Sequence, residues 1–354
     1  MTRIELQGTD QVRIAGLGCA LPDYSLDQES ALRTLRRYYG DSLTPRSEEL
    51  LEKFFRHPGV RRRCFAMDEP EQIFEEDPDA RVERFTNRAT KLAAEASRNA
   101  LRRAGLGGGQ PAALVVNTCT GYVCPGISNY LIEEMDLARD VKAYDLVGSG
   151  CGGAVPNLEM GIARAGEGPV LCVSVEICTA TFQMSNDPSL LVSNALFADG
   201  AGAVVLRGRA PGLEPVSSHT LHEPRYREDI RYVYRNGELH NQLSATLPAK
   251  SGRVVEELVR ELLDREGLGE EDVQHWALHP GGEKVMDAIQ RRLGLSDEAM
   301  QPSREVLRDH GNLSSATVWF VLRRILDEGM ESGDLCLLVA FGAGMTAHAV
   351  LLRR

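Results

Sequence analysis

DLVGSGCGGAVP, residues 145–156, carries a strand into glycines, sets Cys151 among them, and passes into a helix-like stretch, Ala154 to Ala165. The strand is Val141 to Val147. Glycine on both sides of a cysteine permits a sharp turn and close approach by a substrate. A cysteine near a helix N-terminus meets backbone N–H groups and the positive end of the helix dipole, which favour the thiolate. The thiolate is the reactive form and accepts acyl groups from thioesters. The bland reading of any cysteine is a small buried hydrophobe. On the residues alone that reading is kept for the other seven. A Gly-Cys-Gly-Gly setting wastes packing and exposes a side chain, so at Cys151 a nucleophile is expected.

Away from the cysteine, helix and strand patterns recur. Arg88 to Ala104 reads as a helix, stops at Gly105-Leu106-Gly107, and leads to the apolar strand Ala112 to Asn117 and the turn Thr118 to Gly121. Gly252 to Glu266 reads as a helix, stops at Gly267-Leu268-Gly269, and leads to the strand Gln274 to Leu278 and the turn His279-Pro280-Gly281-Gly282. The strands Val170 to Val175 and Ala201 to Leu206 have a similar pair in Leu335 to Phe341 and Thr346 to Leu352. Repeated units of this kind predict a layered α/β architecture of two related halves, residues 1–206 and 207–354, joined in the Gly/Pro-bearing stretch Arg207 to Pro215. Val12 to Pro22 reads as a strand running into a turn. Leu26 to Arg56 carries leucines at helical spacing, and the acid-rich Glu69 to Glu83 reads as a solvated surface segment.

A nucleophilic cysteine needs a base or cation beside it. Of the eight histidines, His279 ends an apolar strand and opens a glycine turn before a helix expected near Glu283. His57, His222, His240, His275, His310 and His348 have weaker settings. A third polar group stands in His310-Gly311-Asn312-Leu313-Ser314-Ser315-Ala316, ahead of the apolar helix Thr317 to Leu326. An amide in such a turn can aim N–H donors at an oxyanion, although asparagine is also a common helix cap.

Composition bounds the rest. The chain has 354 residues, 43% hydrophobic and 26% charged, long enough for one large core or two fused halves. A net charge of -11 argues against broad binding to nucleic acid or membrane surfaces, which needs a basic field. Met1 to Gln11 lacks the apolar centre of a secretory signal. The apolar run Leu335 to Leu352 is broken by Gly342, Gly344, Thr346 and His348, so it reads as two buried strands rather than a membrane span. The eight cysteines form no CxxC pair, and the expected setting is the reducing cytoplasm without a disulfide framework. No His/Cys/Asp cluster has metal-ligand spacing, so no metal is expected.

The quoted motifs resemble those of type III polyketide synthases, the chalcone and stilbene synthase-like enzymes, from about Arg13 to the end of the chain. Gly150-Cys151-Gly152-Gly153 matches the family's cysteine motif, Trp276 to Gly282 its W-x-x-H-P-G-G, and Gly311 to Ala316 its G-N-x-S-S-A. Phe197-Ala198-Asp199-Gly200-Ala201 matches F-x-D-G-A, and Ala340 to Thr346 the C-terminal loop G-F-G-P-G-L-T, with two departures. The resemblance implies a thiolase-like αβαβα fold. It implies a catalytic trio of Cys151, His279 and Asn312, with Phe197 gating the cavity and Cys119 and Thr181 lining it. Asn241 stands where a second gating phenylalanine is usual, and Cys124 matches the residue that reaches into the partner's cavity in family homodimers. Lys53 and Arg56 are the implied coenzyme A-binding residues. Cys119 is usual in bacterial relatives, and the Gly-Gly-Ala-Val-Pro after Cys151 is not the plant form.

The implied reaction joins an acyl-CoA starter to malonyl-CoA by decarboxylative Claisen condensation through an acyl-cysteine, with no cofactor beyond the coenzyme A thioesters themselves. Two other readings compete. An initiating β-ketoacyl-ACP synthase shares the trio but condenses once, and its histidine motif differs from His-Pro-Gly-Gly. A non-catalytic acyl-CoA-binding scaffold would not need the intact trio.

Overall fold

The structure, a computed structural model, describes residues 12–74, 77–107 and 110–354; the polar opening stretch Met1 to Gln11 lies outside them. The first part of the chain runs β1 (Val12–Ala20), β2 (Ser25–Asp27), α1 (Gln28–Tyr39), α2 (Pro45–Phe55), β3 (Arg62–Cys64), α3 (Pro78–Arg103), β4 (Ala113–Asn117), α4 (Ile127–Glu134), β5 (Lys142–Leu146), α5 (Ala154–Arg164), β6 (Val170–Ile177), α6 (Pro188–Leu196) and β7 (Asp199–Gly208). The second runs β8 (Glu214–His222), β9 (Ile230–Arg235), β10 (Glu238–Leu243), α7 (Leu247–Glu266), β11 (His275–Leu278), α8 (Glu283–Leu293), α9 (Asp297–His310), α10 (Thr317–Glu328), β12 (Leu335–Gly342) and β13 (Thr346–Arg353).

Local chemistry sets the helix starts. Asp27, Thr44, Asp77 and Asp187 each accept a backbone N–H of the first turn, and at the last three a proline takes an early helical position where its missing N–H costs nothing. This cap starts α3 ten residues before the expected Arg88, inside the stretch read as solvated surface. Leu26 to Arg56 folds as two helices, parted at Gly40–Ser42. Pro248 similarly begins α7 ahead of Gly252.

Two sheets organise the molecule. One has the order β1-β7-β6-β4-β5, the other β11-β12-β13-β8. Read as β1-β7-β6-β4 and β8-β13-β12-β11, they show the same sequence of senses: antiparallel, antiparallel, parallel. β5 extends the first sheet by one strand. Helices α5 and α10 pack between the sheets, α3 and α4 cover the outside of the first, and α7 and α8 cover the outside of the second. This is the layered α/β arrangement implied by the sequence.

The period-two geometry of strands divides the layers. In β4, Ala113 and Val115 face the central core while Leu114 and Val116 face α3. In β12, Cys336, Leu338 and Ala340 face inward, and Leu337, Val339 and Phe341 face α7 and α8. The central layer buries Leu158, Ile162, Val318, Trp319 and Leu322, each apolar side chain contributing about 1.5–3 kcal/mol. Two polar side chains inside it bond to the first sheet. Asn157 Nδ2 donates to Val115 O at 3.2 Å, Val173 O at 2.8 Å and Asn117 Oδ1 at 2.8 Å, and Trp319 Nε1 donates to Ser174 Oγ at 3.0 Å. These bonds tie α5 and α10 to β4 and β6 of the first sheet.

Candidate active site

Cys151 lies in a single helical turn, Gly150–Gly152, between β5 and α5. The end of β12 presses on that turn. A Cβ at Gly342 would stand 2.3 Å from Ser149 O, 2.6 Å from Gly152 N and 2.9 Å from Cys151 N, so only glycine fits there. The second sheet thus meets the nucleophile turn main chain to main chain.

His279 follows β11, its N–H bonded to Val339 O at 2.8 Å. The side chain is 1% exposed and edge-on to Phe341, ring centroids 5.3 Å apart. Nδ1 is buried without a hydrogen-bond partner, which leaves Nε2 as the nitrogen able to meet a substrate. Asn312 is held by two backbone bonds, its N–H to Leu196 O and its carbonyl from Ala198 N, both 2.9 Å, which bridge it to Phe197. Its Oδ1 accepts from Ser314 N at 2.8 Å, which turns Nδ2 outward as a donor.

Ser314 joins the pieces. Its hydroxyl donates to Cys151 Sγ at 3.3 Å and stands 3.1 Å from Cys119 Sγ. A hydroxyl has one proton, so Cys119 supplies its own S–H to Ser314 Oγ. Cys151, Asn312 and Cys119 are therefore drawn together. His279 makes no hydrogen bond to Sγ among the described residues and reaches the group through Phe341 and Gly342.

Electrostatics differs from the sequence expectation of a favoured thiolate. Burial pushes the Cys151 thiol up to about 12, with the Ser314 hydrogen bond pulling the other way and Glu176 adding to the rise. Burial pushes His279 down to about 3. Both shifts favour a thiol and a neutral imidazole, and the dipole of the short turn does not offset desolvation.

Glu176 was not legible as a site residue. It is an acid at an inward position of the apolar strand VLCVSVEI, and that anomaly is the signal that could have revealed it. Its Oε2 accepts from Cys119 N at 3.0 Å, Thr120 Oγ1 at 2.9 Å and Thr118 Oγ1 at 3.2 Å, and Oε1 accepts from Ser315 Oγ. Burial raises its pKa and these donors oppose the rise. Arg63 is a second such residue. It is buried between Phe55 and Phe65 and donates to Gln28 Oε1 at 2.9 Å, Asn194 O at 2.7 Å and Phe197 O at 2.9 Å, which fixes the Phe197 segment.

Phe197, Thr181 and Asn241 line one small cavity of about 40 Å3, together with Tyr232. Thr181 Oγ1 lies 3.4 Å from the Tyr232 hydroxyl. On the other side of Tyr232 a pocket of about 300 Å3 is lined by Cys119, Gly150 and Tyr122. Cys124 is exposed. Lys53 on α2 and Arg56 at its C-terminal cap are exposed, with Arg56 paired to Glu52 at 3.0 Å, and line neither space. Among the described residues, no three His, Cys, Asp or Glu side chains stand together as metal ligands would.

A sulfur in the turn after the first sheet's β5, with an imidazole after the second sheet's β11 and an amide ahead of α10, defines a class: thiolase-like acyltransferases that form carbon–carbon bonds. Comparison narrows it. Residues 12–214 match the family described as FAE1/Type III polyketide synthase-like protein, and residues 222–354 match the chalcone and stilbene synthase C-terminal domain. The chain is 30% identical to a 3,5-dihydroxyphenylacetyl-CoA synthase of Streptomyces toyocaensis, covering 96% of this chain and 90% of that one. It is 29% identical to the protein of the same name from Amycolatopsis balhimycina, covering 98% and 94%. The fold matches 1,3,6,8-tetrahydroxynaphthalene synthase of Streptomyces coelicolor A3(2) with TM-score 0.87 at 25% identity over 97% of this chain and 99% of that one. It also matches PKS-I of the brown alga Ectocarpus siliculosus with TM-score 0.88 at 25% identity, over 97% and 98%. The chain belongs to the type III polyketide synthase family. It is an acyltransferase that condenses an acyl-CoA starter with malonyl-CoA, using coenzyme A thioesters and no further cofactor.

Proposed function

We propose that condensation runs through Cys151, His279 and Asn312 and repeats on the same sulfur. The observation that carries this is the Ser314 link, which sets the Cys151 sulfur two hydrogen bonds from the Asn312 amide. As Cys151 attacks the starter thioester, its proton passes to His279, so sulfur and ring become charged together. The thioester carbonyl carbon takes the sulfur, and coenzyme A leaves as a thiol. Asn312 Nδ2 and His279 Nε2 then hold the thioester oxygen of malonyl-CoA. The C–C bond to the carboxylate breaks, CO2 leaves, and its electron pair forms an enolate. The enolate carbon attacks the acyl-cysteine and expels the sulfur, leaving the lengthened chain on coenzyme A; Cys151 attacks that thioester, coenzyme A leaves as a thiol, and the chain is reloaded for another round. Phe197 helps exclude water. Lys53 and Arg56 meet the coenzyme A phosphates at the surface.

Mass spectrometry of products from a panel of acyl-CoA starters with malonyl-CoA tests the reading. Products beyond a diketide support it. A diketide alone would favour the single-condensation synthase, and no product at all the scaffold. The two family matches, 12–214 and 222–354, part at residues 215–221, just past the Arg207 to Pro215 join, and support dividing the chain into two halves near there, taken here as 1–206 and 207–354.

Asn241 sets the starter range in this reading, since it lines the same cavity as Phe197. The larger ring in Asn241→Phe overfills about 40 Å3 and is expected to remove the bulkier starters from the range. An unchanged product profile across the starter panel would take Asn241 out of the gate.

The working unit is a homodimer in the cytoplasm. β5 is an edge strand with no neighbour beyond it among the described residues, and Val147 and Tyr122 beside it are 60% and 45% exposed. An open edge with apolar flanks is a template for a second strand. Pairing there brings Cys124 toward the other copy's Cys119 pocket. Sedimentation velocity is expected to read twice the chain mass; a single-chain mass at micromolar concentration would remove the dimer. All eight cysteines are free thiols, in keeping with a reducing compartment.

A further inference from the structure

The pocket beside Cys119 and Gly150 is also lined by Arg227 and Arg231, which the chemistry above leaves unused. The segment that carries them is pinned at its middle. Asp229, 7% exposed, accepts from Lys250 Nζ at 2.7 Å on both oxygens and from Thr246 Oγ1 at 3.1 Å, and its carbonyl accepts from Ser244 N at 2.9 Å. Gln242 Nε2 holds the Glu228 carbonyl at 2.7 Å. The main chain between the two arginines is therefore fixed beside the pocket; the Arg231 side chain is 39% exposed and that of Arg227 71%, so Arg231 is the more sheltered of the two.

Their charge is only half met. Among the described residues the one carboxylate on either is Glu228, 2.7 Å from Arg231 and 3.5 Å from Arg227. Its side chain is 62% exposed. Two cations thus share one solvated acid, and a positive charge is left over in a chain whose net charge is -11. An exposed pair of this kind is worth at most about 1 kcal/mol, so a ligand carboxylate can replace it. Guanidinium binds carboxylate bidentately and more strongly when the pair is shielded from water. The far wall is Cys119, one hydroxyl away from the Cys151 sulfur through Ser314.

We infer that Arg231, with Arg227, reads a terminal carboxylate on the acyl group, so that the enzyme prefers starters derived from dicarboxylic acids to neutral starters of the same length. This rests on the proposed function. The test uses the full chain, malonyl-CoA as extender, and succinyl-CoA against butyryl-CoA as starters of equal carbon number. The kcat/KM ratio of succinyl to butyryl is expected to be about tenfold or more, the size of a charge-assisted hydrogen bond. Arg231→Gln should bring the ratio toward one, mainly through KM for succinyl-CoA, and Arg231→Lys should restore part of it. A wild-type ratio near one, or an Arg231→Gln enzyme with an unchanged ratio, overturns the inference. Malonyl-CoA decarboxylation and extension of acetyl-CoA are measured alongside. Their absence removes the proposed function and this inference with it, whereas their presence without a carboxylate preference removes this inference alone.

Discussion

Cys151→Ala is expected to lower polyketide formation by about 10^4-fold or more, as removal of a covalent nucleophile does elsewhere. Malonyl-CoA decarboxylation is expected to continue, because enolate stabilisation is assigned to Asn312 and His279. The distinction follows from the way the site is shared. The sulfur belongs to the turn after β5, whereas the imidazole follows β11 and the amide precedes α10. Removing Sγ breaks the Ser314 hydroxyl bond but leaves the Asn312 Oδ1 bond to Ser314 N in place. Product release is read by mass spectrometry, and decarboxylation by acetyl-CoA appearance. Undiminished product from this variant would end the acyl-cysteine mechanism.

Asn312→Ala is expected to lower decarboxylation by about 10^2–10^3-fold, roughly 3–4 kcal/mol of barrier, the range for one oxyanion donor. His279→Ala should fall in the same range. Neither effect requires misfolding: Asn312 keeps its two backbone bonds at 2.9 Å when the amide is removed, and His279 keeps its N–H bond to Val339. Burial is what makes each donor strong, since both side chains are 1% exposed and act where water does not compete. Far-ultraviolet circular dichroism checks the fold. A folded Asn312→Ala enzyme that decarboxylates at the wild-type rate would leave that amide without a role.

Cys151, His279 and Asn312 stand out in the sequence because each sits where an apolar strand or helix meets small residues, the kind of turn that often carries function. The strands Leu335 to Leu352 were readable from apolar runs parted by glycine. The hairpin of β9 and β10 was not. Its turn is Asn236-Gly237, both at positive φ, a strong hairpin signal. Yet its strands are half-buried at almost every position and show no clean alternation to accompany that signal. Tyr232, Arg231 and Asn241 went unplaced or loosely placed for that reason. Lys53 and Arg56 illustrate another difficulty: exposed cations look alike in a sequence, and only a surface shows what they face.

Among the described residues the hairpin shares no hydrogen-bond ladder with either main sheet, while the sulfur turn is locked to β12 through Gly342. The ribbon is tied to α6 through main-chain atoms of Asn241 and Leu243 on Ser189, so changes of side chain in it leave both that tie and the lock at Gly342 in place. In a gene lineage this separates two kinds of inheritance: the reaction is kept by backbone that tolerates no side chain, and the repertoire of molecules made is free to diverge.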